Sequence, residues 1–218
     1  MTDCYAPLQQ AGLVAVVRAE QPELAVRLAA ALMAGGIRAI ELTFTIPGAA
    51  EALTEVRRIH GDAVLLGAGT IREPSQIEVA VRAGADFLVT PHLRSDLLAA
   101  MLATGLPAIP GVLTPSEVAA ALDAGAEVVK LFPASAMGPG YLRSLRGPFP
   151  NLRAVPTGGI DAPDLADWFG AGALAVGVGS ELAPRALLAE GRWAELTARA
   201  SRFIEAARVA RAGLLGAR

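Results

Sequence analysis

Lysine is almost missing from this chain. Of 19 basic residues in 218, one is lysine, Lys130, and the rest are arginine. Cysteine is equally scarce. Cys4 is the only one, so no internal disulfide can form, as expected of a reducing cytoplasm. Cys4, His60 and His92 do not make a metal set, and neither metal nor cofactor is expected. Aromatics are 5% of residues and net charge is −2, which removes the basic, base-stacking surface that nucleic acid needs. No uninterrupted apolar run approaches the roughly 20 residues of a membrane span. Residues 1–11 lack a basic region followed by an apolar stretch, so no secretory signal is expected.

What is present is a core. Hydrophobic residues make up 53% and charged residues 18%, the balance of a folding chain. Short apolar runs alternate with helical segments. Strands are expected over residues 13–17, 37–43, 64–70, 87–90, 107–112, in the lysine-bearing run 127–133, and over 152–156 and 173–178. Helices are expected over residues 2–12, 22–34, 47–59, 74–84, 95–103, 114–125, 140–145, 162–169 and 192–211. Pro22, Pro47 and Pro74 open helices, while Gly35-Gly36, Gly84, Gly105, Gly125 and Gly172 close them. Thr114 with Glu117 three residues on is a capping-box pattern. Alternating strand and helix implies parallel pairing through crossovers. Eight such units in this length predict a (β/α)8 barrel with a short N-terminal helix. An open doubly wound sheet is disfavoured, because no Gly-x-Gly-x-x-Gly follows the first strand. No linker or low-complexity segment divides the chain, so residues 1–218 read as one domain.

In such a barrel the chemistry sits at the C-terminal ends of strands. Arg18, Glu41, Thr43, Thr70, Thr90, Lys130 and Thr157 fall at or near those ends. Lys130 lies in a β-branched run where an isolated charge is costly. Unlike arginine, a desolvated lysine can lose its proton and attack a carbonyl, which makes Lys130 a candidate Schiff-base amine. Glu41 sits in an equally apolar run. It reads either as the structural ion-pair partner of Lys130 or Arg18, or as a general acid/base beside the amine. Alternation along the strand puts Val128, Lys130 and Phe132 on one face, with Phe132 as a pocket wall. Pro91-His92 follows the fourth strand at the barrel mouth. Gly158-Gly159 follow the seventh strand, and Gly179-Ser180 follow the eighth, where Ser180 could cap a short helix. These two loops are the usual anion site of this fold. Backbone N–H groups are expected to do most of that binding, with no basic residue near in sequence.

These stretches together resemble the 2-keto-3-deoxy-6-phosphogluconate and 4-hydroxy-2-oxoglutarate aldolases. The resemblance rests on residues 35–43, Gly67-Ala68-Gly69-Thr70, Pro110-Gly111-Val112, Lys130-Leu131-Phe132-Pro133, Gly147-Pro148-Phe149-Pro150, Pro156-Thr157-Gly158-Gly159 and Gly177-Val178-Gly179-Ser180. It implies a metal-free class I aldolase in which Lys130 forms the imine and Glu41 is the acid/base. Thr70 and Thr157 would line the pocket, and the glycine loops would hold a phosphate. It also implies a homotrimer and a keto-acid sugar phosphate as substrate. The sequence departs from the resemblance at Thr45, where many relatives carry an arginine for the substrate carboxylate. Arg18 with Thr70 is the expected substitute. Galactonate-configured and non-phosphorylated substrates stay open, as do a sugar-phosphate isomerase and a binding protein on the same barrel.

Overall fold

The chain's computed structural model describes residues 3–215. Helix α1 (Ala6–Ala11) precedes strand β1 (Leu13–Val17). There follow α2 (Pro22–Ala34), β2 (Ala39–Thr43), α3 (Ala49–His60), β3 (Leu65–Gly69), α4 (Pro74–Arg82), β4 (Phe87–Val89) and α5 (Ser95–Leu102). The fifth strand comes as two pieces, β5 (Ala108–Ile109) and β6 (Gly111–Val112). After α6 (Pro115–Asp123) come β7 (Val129–Leu131), α7 (Pro139–Leu145), β8 (Ala154–Pro156), α8 (Leu165–Gly170), β9 (Val176–Val178), α9 (Arg185–Ala189) and α10 (Trp193–Leu215).

All ladders are parallel. One run is ordered β5-β4-β3-β2-β1-β9 and the other β6-β7-β8. Only Pro110 separates β5 from β6, and a bridge between Thr157 and Gly177 joins the end of β8 to β9. The two runs therefore close into a ring of eight strands, the expected α/β barrel. The break at Pro110 is a correction to the expected continuous strand. Proline has no N–H to give the ladder, although its carbonyl still accepts from the Lys130 N–H at 2.8 Å.

Two cores follow from the alternation of strand residues. Val14, Ala39, Phe87, Val89, Ile109, Val128 and Val155 fill the barrel interior with Tyr5 and Leu8 of the N-terminal segment. The larger cluster lies between the strands and the surrounding helices. Strands buried on both faces explain the unbroken apolar runs. Most sequence signals for helix ends hold, but Pro47 does not open α3, which starts at Ala49 after a left-handed Gly48. Pro22, Pro74 and Pro115 open α2, α4 and α6. The Thr114–Glu117 box forms, with Glu117 Oε2 accepting from the Thr114 N–H at 2.7 Å. That backbone bond, with one from Leu113, holds the Glu117 carboxyl below its ordinary range.

The remaining differences concern element ends. The expected start of the first helix at Thr2 lies outside the described residues, and α1 begins at Ala6. The Asp3 side chain first ties back the Tyr5 N–H at 2.9 Å. Residues 162–164 form a 3-10 turn ahead of α8. Helix α9 is the short helix expected after the eighth strand, but it starts after Pro184 rather than at Ser180.

Candidate active site

Among the described residues, the buried polar and charged side chains are Glu41, Thr43, Thr90, Lys130 and Thr157. Glu41 and Lys130 are at the middle of strands, Thr43 ends one, and Thr90 and Thr157 directly follow one. Polar groups are costly to bury unless paired, so each must have a partner or a task.

Lys130 is the central residue of β7, and Glu41 is the central residue of β2. Each is only 3% exposed. Lys130 follows Val128 of the interior core, and Glu41 follows Ala39 of the same core, so both side chains point inward by the two-residue alternation. They meet across the barrel with Lys130 Nζ 3.4 Å from Glu41 Oε1. The Phe132 ring closes the amine from above, its centroid 5.5 Å from Nζ.

Space for the carboxylate comes from Gly69 at the end of β3. A Cβ there would lie 1.9 Å from Glu41 Oε1. Gly111, paired in register with Lys130, leaves similar room for the backbone of Pro91, which a Cβ would meet at 2.4 Å. Thr90 is absorbed structurally, accepting from the Gly111 N–H and donating to the His92 carbonyl at 2.8 Å. Thr157 donates to the Val155 carbonyl at 3.2 Å and packs against Gly177. Thr70 follows β3 with φ of 55°, a conformation unfavourable for a β-branched residue. Backbone strain of this kind gathers at functional sites.

Thr43 and Thr45 form a directed pair. Val17 O can only accept, so the Thr43 hydroxyl proton goes to it at 3.0 Å. The 2.7 Å contact between Thr43 and Thr45 must then have Thr45 as donor. Exposed Thr45 is left with lone pairs to offer outward. It can accept from Arg18 or from a substrate hydroxyl, but it has no proton left for a carboxylate.

The two glycine loops lie at the same end of the barrel. A Cβ on Gly158 would meet the Phe132 ring at 3.2 Å, and one on Gly159 would meet Ser135 at 2.5 Å. A Cβ on Gly179 would be 3.9 Å from Arg18 Nη1. Here the structure corrects two expectations. Ser180 lies in a turn and caps no helix; α9 begins five residues later, after Pro184. Basic side chains are also at hand. A cavity of about 430 Å³ beside the β9 loop is lined by Arg18, Thr45, Gly179, Ser180 and Arg185, with Leu24, Leu28 and Leu188 as an apolar wall. Thr70 is not part of that lining.

Sequence reasoning thus finds the amine, its carboxylate, the Phe132 wall and both loops. It misses Gly69, Ser135 and Arg185. Gly69 carries a signal in Gly67-Ala68-Gly69, where small residues on one face of a barrel strand announce a large neighbour. Arg185 stands only five residues past Ser180, yet its approach to the loop depends on a turn that sequence does not specify.

A second cavity, of about 530 Å³, lies at the opposite end, against α1 and the start of β3. Its Arg57 is already engaged by the Gly84 carbonyl and by Asp86 at 2.5 Å. That is the stabilising end of such barrels. Among the described residues no group of three His, Cys, Asp or Glu could hold a metal ion, and no helix is long and apolar enough to cross a membrane.

Comparison with known proteins agrees with this geometry. The family model for KDPG and KHG aldolases matches residues 5–199. A 2-dehydro-3-deoxy-phosphogluconate aldolase of Treponema pallidum (strain Nichols) is 38% identical over 91% of this chain and 94% of its own. A 2-dehydro-3-deoxy-6-phosphogalactonate aldolase of Escherichia coli (strain K12) is 34% identical over 78% of this chain and 83% of its own. Among solved structures, the KDPG aldolase of Legionella pneumophila, with pyruvate captured as a covalent carbinolamine, superposes with a TM-score of 0.85 at 33% identity. That alignment covers 92% of this chain and 97% of the other.

Proposed function

The chain belongs to the KDPG and KHG aldolase family, and from that premise we propose that it reversibly cleaves 2-keto-3-deoxy-6-phosphogluconate to pyruvate and glyceraldehyde 3-phosphate. One observation carries the reading: the chain's only lysine is buried at the barrel mouth with its amine 3.4 Å from a buried carboxylate.

The free amine of Lys130 adds to the C2 carbonyl carbon, one proton passes from Nζ to the carbonyl oxygen to give the carbinolamine, and a second proton on that hydroxyl lets it leave as water. The iminium so formed draws in the electron pair of the C3–C4 bond while the C4 hydroxyl loses its proton. The aldehyde departs, and the enamine left on Lys130 takes a proton at C3. Water then releases pyruvate and restores the amine. Glu41 is the group near enough to Nζ to move these protons, directly or through one water. Phe132, Pro91 and Thr157 wall the keto-acid end. Arg18 and Thr70 hold the substrate carboxylate from either side of β2, with Thr45 offering its lone pairs to Arg18 or to a substrate hydroxyl. Gly158, Gly159, Gly179 and Ser180 receive the far phosphate. Residues 1–218 act as one catalytic domain.

The test is pyruvate release from the phosphorylated substrate. Lys130→Arg keeps the charge but removes the nucleophile. It should abolish turnover, and a variant retaining more than about a thousandth of the wild-type rate would refute the covalent route. A trimer, proposed on the family resemblance, should weigh three times the 22.3 kDa chain in light scattering, and a monomer mass would reject it.

A further inference from the structure

We propose that Arg185 and Glu20 form an exchangeable ion pair at the rim of the cavity beside β9. The terminal phosphate of the substrate displaces the Glu20 carboxylate, so Arg185 selects phosphorylated over non-phosphorylated keto acids. The inference deepens the aldolase reading and rests on it.

The geometry supplies each part. Arg185 Nη2 is hydrogen-bonded to Glu20 Oε1, and both side chains are largely exposed, at 87% and 72%. Exposed pairs of this kind are weakly held, so a better anion can replace the carboxylate at little cost. Both residues line the same cavity as Arg18, Gly179 and Ser180. Glu20 stands on the short connection after β1, two residues past Arg18. Arg185 opens α9 after Pro184. Neither belongs to a strand, so an exchange at the rim leaves the Lys130–Glu41 centre undisturbed.

The two anions differ in what they offer a guanidinium. Glu20 carries one negative charge. A phosphate monoester carries about −1.5 to −2 and three strong acceptor oxygens, matching the fork of donors on arginine. Exchange therefore gains charge and hydrogen bonds for a phosphorylated tail. A terminal carboxylate, as in 4-hydroxy-2-oxoglutarate, only replaces like with like and gains nothing. Glu20 acts as an internal competitor that raises the threshold for the incoming anion.

The test compares KM and kcat for the phosphorylated substrate and for 4-hydroxy-2-oxoglutarate. Arg185→Met should raise KM for the phosphorylated substrate about tenfold, the effect of one lost charge-assisted contact. KM for the non-phosphorylated substrate should move less than about twofold. Glu20→Gln should lower KM for the phosphorylated substrate, and Arg18→Met should raise KM for both substrates. Equal shifts with both substrates in Arg185→Met, no shift with either, or a raised KM in Glu20→Gln would overturn the proposal. Inorganic phosphate titrated into the resting enzyme by calorimetry gives a readout that needs no turnover. It should bind more weakly to Arg185→Met and more tightly to Glu20→Gln, and equal affinities contradict the exchange. Borohydride with pyruvate separates the two levels. An adduct on Lys130 in Arg185→Met shows an intact centre, whereas no adduct in the wild type removes the aldolase reading and leaves phosphate binding to decide the exchange.

Discussion

A single methyl group tests how the reacting pair is positioned. Glu41 reaches Lys130 only because Gly69 leaves the neighbouring strand bare; a Cβ there would occupy the carboxylate oxygen's place. Gly69→Ala should therefore push the carboxylate off the amine without touching either group's chemistry. Displacements of about 1 Å at a reacting centre cost on the order of a hundredfold. We expect kcat to fall by about that factor while pyruvate still forms its borohydride adduct. An unchanged kcat would mean that Glu41 does its work from another position. Lys130 is conspicuous in the sequence alone, as the one lysine among 19 basic residues. The bare Gly69 is not conspicuous in the same way, because glycine in a strand has several causes and only the Glu41 rotamer selects among them.

At the scale of elements, α1 and Tyr5 just before it form the floor of the barrel. The Tyr5 hydroxyl donates to the Ala108 carbonyl and accepts from the Ala108 N–H, both at 3.2 Å, and the ring joins the interior core. Burial pushes the Tyr5 phenol from 10.0 up to about 12, with the Ala108 bond working the other way. Between these values the unfolded chain has released a proton that the folded chain keeps, so folding loses stability as pH rises from about 10 to 12. Tyr5→Phe should be less stable than wild type at pH 9, by about 1 kcal/mol per hydrogen bond lost, and the gap should narrow above pH 10. Parallel unfolding curves over that range would show that the phenol is not the responsible group. The helix-closing glycines are legible because their φ values are positive at Gly36, Gly84, Gly105, Gly125 and Gly172, a conformation that favours glycine. The break at Pro110 is legible in principle from proline's missing N–H. The turn at Ser180 is not, because it depends on the close approach of the β1 and β9 loops.

For the whole molecule, closure of the ring is what makes the chemistry local. Glu41 and Lys130 are 89 residues apart in sequence, and only a barrel whose alternation points both inward brings them together. The order of strands, both cores and the end of the barrel that works can be read from periodicity and from where the polar residues fall. The cavity with Arg18, Glu20 and Arg185 cannot, since it forms where three connections meet and their lengths encode no direction. The central claim is that Lys130 is the covalent nucleophile. Because the chain holds one lysine, sodium borohydride with pyruvate can mark only that side chain or the N-terminal amine. Mass mapping after inactivation should find the reduced pyruvyl group on Lys130, with activity lost in proportion. An adduct confined to the N-terminus, or turnover that survives the treatment, would contradict the account.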